Sequence, residues 1–322
     1  SRQKGDPLYL YLDIPYKLNA LPFELMRDDR FLVLNEHPRT FVIRRVNSRN
    51  RLKDTTPEKR PLRVLFMVCS PTDLKARDVL RFEKEEEQIL SAVEKFPVDM
   101  TIEDSGSLEG LTEALYEGGK YDIVHITGHA GIDHELGPVF YMEDDTGRLN
   151  KVTPEMLREA VKDFPPRLLF LSGCSTGKSD KAGESESFAF QMVDKGISLV
   201  LGWGLPVSDT GAIRLTTELY RYFGMGKSIC EAVNVSRQAM REYYHPWPLL
   251  RLFTDGSPLT PLIAGSQPLR RWHPRKTAYK FLEDRQVKVM EKGFVGRRRE
   301  IQRGVRVLKG IPGEDEMPKY GL

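Results

Sequence analysis

The residue with the most reactive chemistry in this sequence is a cysteine at the end of an apolar run. Cys174 lies in LLFLSGCSTGKS (168–179), where a pattern typical of a buried strand enters a glycine-containing turn. A thiol presented there can act as a nucleophile when a neighbouring base takes its proton. Cys69 ends another apolar strand and Cys230 lies in a helical pattern, so both are interpreted as small buried hydrophobic residues. Cys174 is therefore the candidate for covalent chemistry.

The same turn also resembles a phosphate-binding loop, because it ends in Gly-Lys-Ser (177–179). That motif requires a glycine five positions before Gly177, where this sequence has Ser172. It also requires a helix to begin at Lys178, so that backbone amides face the phosphate, but the polar stretch SDKAGES follows instead. These departures favour a nucleophile over a phosphate site, and a nucleotide-binding switch stays open as the alternative.

A nucleophilic thiol needs a base, and His129 in YDIVHITGHAG (121–131) is the candidate. The pattern predicts a strand that ends at residue 128 and enters a glycine-rich turn containing His129. Because the carboxyl ends of parallel strands meet at one edge of a sheet, we expect His129 and Cys174 side by side despite the 45 residues between them. The competing interpretation, a buried cysteine and a turn-capping histidine, is disfavoured by their matching positions at strand ends.

Composition limits the classes of protein that this chain represents. Its 322 residues are 40% hydrophobic and 30% charged, and a formal net charge of +3 gives no reason to expect a nucleic-acid partner. No apolar run approaches the length of a membrane span, so no membrane partner is expected. Three cysteines form no even disulfide framework and no pair has metal-ligand spacing, so we expect a reducing cytoplasm and no metal.

Strand and helix patterns alternate along the middle of the chain, which predicts an α/β fold with a mostly parallel sheet covered by helices on both faces. Three domains are predicted: a small β-rich region and linker (1–62), the core (63–255) and a C-terminal linker (256–322). Strands are predicted at 8–14, 30–34, 40–46, 63–70, 98–104, 121–128, 167–173 and 198–204, a hairpin at 138–152, and helices at 82–96, 107–118, 153–164, 186–196, 209–224, 227–244 and within 281–309.

The segments YDIVHITGHAG, LLFLSGCSTG and LVLGWGLPVSD together resemble the CHAT family of caspase-like cysteine peptidases, which are relatives of caspases and separase. The resemblance covers roughly residues 8–255 and implies a caspase-like sheet. It also implies His129 as the catalytic histidine, Cys174 as the nucleophile, and no cofactor. Ala130 stands where caspases have a glycine whose amide helps to bind the oxyanion, so the amides of Ala130 and Cys174 are the implied donors.

Substrate choice in these families depends mainly on the residue before the cut. Asp209 in GWGLPVSDTGA matches an acidic position of separase-like members, which implies cleavage after Arg or Lys through a charge-assisted hydrogen bond. The alternative is that Asp209 merely caps the following helix. Asp180, Glu184 and Glu186, in the loop after Cys174, are further candidates for an acidic pocket wall.

The segment GFVGRRREIQRG (293–304) resembles the lead-in to STAND or AAA-type NTPase domains, which would allow self-association through a module beyond this sequence. The alternative is an ordinary basic helix at a domain edge. The family implies an endopeptidase that cuts a protein partner, such as a pore-forming gasdermin or a regulator, in bacterial signalling or antiviral defence. A non-catalytic CHAT scaffold is the rival hypothesis.

Overall fold

The computed structural model describes residues 6–13, 15, 18–19, 21–35, 38–46, 56–74, 89–91, 93–174, 187–204, 209–242, 247–265 and 298–311. Ten strands of the described residues belong to a single sheet. They are β1 Leu8–Leu12, β2 Thr40–Arg45, β3 Leu62–Val68, β4 Val98–Glu103, β5 Ile123–Asp133, β6 Gly137–Glu143, β7 Leu149–Val152, β8 Leu168–Cys174, β9 Leu199–Trp203 and β10 Leu250–Thr254. The described α-helices are α1 Leu108–Gly118, α2 Pro154–Ala160, α3 Phe188–Asp194, α4 Asp209–Gly224, α5 Ile229–Glu242 and α6 Arg298–Leu308.

The sheet has the order β1-β2-β10-β9-β8-β5-β3-β4, and β6 and β7 extend it from the far part of β5. The five strands from β9 to β4 are parallel to one another. At β10 the direction reverses, because β10 is antiparallel to β9 but parallel to β2. The predicted mostly parallel α/β architecture is therefore confirmed.

Alternating residues of the central strands enter two separate hydrophobic clusters, one on each face of the sheet. Ile123 belongs to the first cluster, which also contains residues of α4 and α5. Val124 belongs to the second, which contains residues of α1, α2 and α3. Successive residues of a strand point to opposite faces, so a sheet that is buried on both faces has apolar residues at nearly every position of its central strands.

Helix starts follow the sequence signals closely. Ser107, Thr153 and Ser187 are N-caps whose side chains accept hydrogen bonds from the backbone N–H three residues later. Pro154 occupies the first turn of α2, where it leaves no N–H unpaired. The predicted helix at 82–96 is helical at 89–91, and most of it lies outside the described residues.

The N-terminal segment is part of the main sheet through β1 and β2. The fully buried Glu24 forms an ion pair with Arg44 of β2 and lies 3.6 Å from Arg237 of α5. The prediction of a strand at 30–34 is wrong, because Leu32–Leu34 forms a single turn of 3-10 helix. Only Val33 of that turn is buried, whereas a strand would bury alternate residues.

The C-terminal helix α6 packs against the carboxyl edge of the sheet. Gln302 is nearly buried, and its Nε2 donates to the carboxylate of Glu143 in β6. Arg299 donates to the carbonyl and hydroxyl of Ser70, which follows β3. Glu143 in turn accepts from the Ser70 N–H at 2.8 Å, so α6, β6 and the segment after β3 share one polar cluster.

Within the described part of the chain, none of the helices is both long enough and apolar enough to cross a lipid bilayer.

Candidate active site

The two strands that carry the candidate dyad are direct neighbours. β5 pairs with β8 in parallel from Ile123–Leu168 onward, and the last register pair joins His129 to Cys174. Adjacent strands lie about 4.8 Å apart, and positions in register lie on the same face of a sheet. The fold therefore brings together two residues that are 45 positions apart in sequence, at the carboxyl edge of the parallel strands.

The prediction that β5 ends at residue 128 is wrong, because β5 continues to Asp133. Its pairing with β3 ends at Thr127, and from His129 onward it pairs with β6 in an antiparallel hairpin. Its glycines occupy crowded strand positions instead of a turn. A Cβ at Gly128 would lie 3.0 Å from the Cys69 carbonyl oxygen, and one at Gly131 would lie 2.7 Å from the Tyr141 hydroxyl. The glycines that suggested a loop are thus explained by close neighbours.

The face of the sheet that carries His129 is identified by a second histidine. His125 lies four residues earlier on β5, so the two-residue repeat places both on one face. The Nδ1 of His125 lies 2.7 Å from the Tyr220 hydroxyl of α4, and its ring stacks on Phe170 with centroids 4.2 Å apart. His129 and its register partner Cys174 are therefore on the face that α4 covers.

His125 itself is a structural residue that the sequence analysis did not single out. It is fully buried, and this burial lowers the pKa of its imidazole to about 3. Among the described residues its Nε2 has no hydrogen-bond partner. The sequence feature that indicates a structural role for His125 is its position inside an apolar strand, because a histidine buried in a core is expected to be neutral. His129, by contrast, is half-buried at the strand's far end.

The direction of the Ala130 amide follows from the strand geometry. The Cys69 N–H donates to the Thr127 carbonyl at 2.8 Å, so odd-numbered residues of β5 turn their backbone polar groups toward β3 and β6. Pro138, which has no N–H to donate, lies opposite Ile132, an even-numbered residue that faces away from β6. The N–H of Ala130 accordingly faces the β8 side of β5, on which Cys174 lies.

The predicted specificity residue Asp209 is the first residue of α4. A Cβ at Gly224, the last residue of α4, would contact Pro97 at the amino end of β4, so α4 runs antiparallel to the parallel strands and begins at their carboxyl edge. From Tyr220 back to Asp209 the helix rises about 16 Å, and from His125 to His129 the strand advances about 13 Å. The helix start and the His129–Cys174 pair therefore lie at similar heights on one face.

The remaining candidates fall into two groups. Asp180, Glu184 and Glu186 lie outside the described residues, as does the rest of the segment after Cys174, including Lys178. Cys69 and Cys230 are buried, as predicted, and burial raises the pKa of the Cys230 thiol to about 12. Neither of these two thiols is suited to act as a nucleophile at neutral pH.

The fold and the paired strand ends define an α/β protein with a candidate cysteine–histidine site at the edge of a mostly parallel sheet. The CHAT domain model matches residues 1–263 of this sequence, so the chain belongs to the CHAT domain family. Among curated proteins, no sequence matches the chain.

Several solved structures resemble the chain remotely. One is the Arg specific cysteine proteinase gingipain R, with a TM-score of 0.47, 14% identity, and coverage of 74% of this chain and 58% of that chain. Another is the Saccharomyces cerevisiae separase–securin complex (TM-score 0.38, 16% identity, 60% and 12% covered). A third is caspase-1 from Spodoptera frugiperda (TM-score 0.37, 14% identity, 60% and 85% covered). All three names denote cysteine proteases or their complexes, and at these scores they assign no residue or substrate to this chain.

Proposed function

We propose that this CHAT protein is a cysteine endopeptidase with Cys174 as nucleophile and His129 as its acid–base partner. The observation that carries the proposal is the register pair of these two residues at the carboxyl edge of neighbouring parallel strands. That edge is where open α/β sheets place their ligands. Proton transfer requires the thiol and the imidazole to come within hydrogen-bond reach, and register partners on adjacent strands, about 4.8 Å apart, are near enough for this.

The reaction follows from these two groups. His129 takes the proton of Cys174, and the thiolate sulfur attacks the carbonyl carbon of the scissile peptide. The tetrahedral oxyanion is stabilised by backbone amides, with Ala130 and Cys174 as the proposed donors. When the C–N bond breaks, His129 protonates the leaving amine and a thioester remains on Cys174. Water activated by His129 then hydrolyses the thioester and regenerates the thiol.

Selective alkylation tests the nucleophile directly. Iodoacetamide is expected to label Cys174 at least about tenfold faster than Cys69 or Cys230, because both of these thiols are buried. Labelling is read by mass spectrometry of the three cysteine peptides after timed quenching. Equal rates for all three thiols in the folded protein would contradict an activated Cys174. Protection of Cys174 by ATP would instead favour the nucleotide-binding switch.

Cleavage after a basic residue is the proposed specificity, with Asp209 as the acid that recognises Arg or Lys. Its support is the start of α4 at the level of the dyad, together with the charge-assisted pairing that a carboxylate offers to a guanidinium. Asp180 and Glu184 are the further proposed contributors. A fluorogenic peptide library should show preference for Arg or Lys, and Asp209→Asn should reduce that preference at least about tenfold. Preference for Asp or for an apolar residue would overturn this specificity.

A matched variant separates recognition from helix capping. Asparagine retains the capping ability of aspartate at a helix N-terminus but not its charge. Asp209→Asn should therefore weaken selection for basic residues while leaving thermal stability near that of the wild type. If Asp209→Ala lowers stability and Asp209→Asn behaves as wild type in both assays, the residue is a helix cap only.

The physiological partner is proposed to be a protein that is cut in a regulated bacterial signalling or antiviral pathway in the cytoplasm, such as a gasdermin or a regulator. Self-association through an NTPase module would control such an enzyme. Co-expression of candidate partners with wild type and with Cys174→Ala tests this directly. A cut that disappears in the variant supports the peptidase, whereas partner binding without any cut in either form supports the scaffold alternative.

A further inference from the structure

A strand of the hairpin places an aromatic residue next to the candidate base. β6 runs beside β5 where β3 has ended, and Tyr141 is the register partner of His129. Cys174 is the register partner of His129 on the opposite side. Opposed residues of antiparallel strands have Cβ atoms about 5 Å apart and share a face. The His129 position is therefore flanked by Cys174 on one strand and by Tyr141 on the other.

The ring of Tyr141 leans along β5, away from the buried end of that strand. A Cβ at Gly131 would lie 2.7 Å from the Tyr141 hydroxyl oxygen and 3.3 Å from its Cζ. Gly131 is thus the residue that leaves room for the phenol. The ring occupies the face of the hairpin that begins at His129 and continues outward from the site.

An ion pair encloses the far side of this ring. Lys151 of β7 is the register partner of Tyr141, and its Nζ lies 2.7 Å from Oδ2 of Asp133 at the end of β5. The pair spans from β5 to β7 across β6, which lies between them. Tyr141 therefore has neighbours on both adjacent strands, and it remains half-buried.

We propose that Tyr141 is a positioning residue for His129. Its ring lies over Gly131, beyond the imidazole along β5, and so keeps the imidazole from turning outward, away from the Cys174 position. Tyr141 transfers no proton in this role. The inference rests on the proposed peptidase function, because it assigns His129 as the base. It predicts that the shape of residue 141 controls catalysis more than its hydroxyl does.

Two substitutions at this position separate shape from chemistry. Tyr141→Ala removes the ring and should lower kcat at least about tenfold with KM changed less than about threefold, because misplacing a catalytic group by a fraction of an ångström has this scale of cost. It should also move the pH at which Cys174 becomes half-reactive toward iodoacetamide. Tyr141→Phe keeps the ring and should stay within about threefold of wild type in both assays.

A matched control comes from the other end of the sheet. Tyr11 is an exposed aromatic residue on the edge strand β1, remote from β5 in strand order. Tyr11→Ala should change neither kcat nor the alkylation profile. Circular dichroism and thermal melting verify that every variant is folded before its kinetics are compared.

The glycine offers a second, independent test. Gly131→Ala should displace the Tyr141 ring and reduce kcat at least about fivefold. Adding Tyr141→Phe removes the atom 2.7 Å away and leaves the nearest ring atom at 3.3 Å, so the double variant should recover most of the loss. Additive losses in the double variant would overturn the proposed arrangement.

Two failures are distinguishable. If peptide cleavage and selective Cys174 alkylation are both present but Tyr141→Ala changes neither in a folded protein, the positioning role is wrong and the peptidase stands. If wild type shows neither cleavage nor selective alkylation, the proposed peptidase is wrong, and the role of Tyr141 is wrong with it.

Discussion

His125 and His129 lie on the same strand and the same face of the sheet, four residues apart, in opposite environments. His125 is fully buried against Phe170 and Tyr220, and its pKa is lowered to about 3 by burial. His129 lies at the level where β8 ends, half-buried and opposite Cys174. One residue type on one strand is thus structural or available for chemistry according to the side chains that pack against it.

The largest expected difference between the two histidines is in activity. His129→Ala should reduce kcat/KM for a cleaved peptide by about 10² to 10⁴, the range typical of a lost acid–base group, with little change in melting temperature. His134→Ala is the matched control, because His134 is an exposed histidine of the same hairpin. A folded His129→Ala protein with wild-type activity would contradict the role of His129 as the acid–base residue.

The next effect is in stability. His125→Ala should lower the free energy of unfolding by about 2 to 4 kcal/mol, because it leaves a cavity beside Phe170 and removes the hydrogen bond to Tyr220. His125→Phe keeps an aromatic ring and should lose less. Chemical denaturation gives the stability, and activity per folded molecule should remain near that of wild type. Lost activity in a fully stable His125 variant would show that the two histidines are coupled in catalysis.

A third effect is the dependence of stability on pH. Burial depresses the pKa of His125 from 6.5 to about 3, so between these values the unfolded chain binds a proton that the native protein does not. This contribution to stability is fully present above about pH 6.5 and decreases by about 1.4 kcal/mol per pH unit as the pH falls toward 3. Urea denaturation of wild type and His125→Phe at pH 7 and pH 4.5 measures it. Identical losses of stability in the two proteins would contradict the assignment.

The smallest expected effect concerns the hairpin beyond His129, which α6 holds through Gln302 and Glu143. Gln302→Ala should increase amide hydrogen exchange in α6 and β6 by about tenfold, because one charge-assisted hydrogen bond is lost. Exchange around His125 should not change. Arg303→Ala, at an exposed position of the same helix, is the control and should leave all of these rates unchanged. Faster exchange around His125 in Gln302→Ala would show that the two ends of β5 open together.

Much of the fold was predictable because its signals are local. Apolar runs indicate the strands. Helices begin at the capping residues Ser107 and Thr153, which act on the backbone within one turn. The errors arose where a distant neighbour decided the structure. The segment at 30–34 has a strand-like composition but buries only Val33 within its 3-10 turn, and β5 continues past residue 128 because β6 returns to pair with it.

The candidate site likewise has residues that local sequence patterns predict and one that only distant contacts reveal. The sequence indicated Cys174 and His129 from their residue types and their places at strand ends, before any partner was known. It gave no sign of Tyr141, because the relation of that residue to His129 exists only through the antiparallel register of β5 and β6. The sequence predicts a glycine-rich turn after residue 128, whereas the actual reason for Gly128 and Gly131 is crowding by Cys69 and Tyr141, which only the tertiary structure shows.

By itself the sequence determined the alternation of strands and helices, the two reactive residues and the family resemblance, because residue type, periodicity and motif are properties of short segments. Only the tertiary structure decided that β5 and β8 are neighbours in the register that pairs His129 with Cys174. It alone also decided that His125 is fully buried, that His129 is half-buried at the carboxyl edge of the sheet, and that α4 begins at that edge. Burial and strand neighbours depend on contacts between segments far apart in the chain, and no local pattern specifies them.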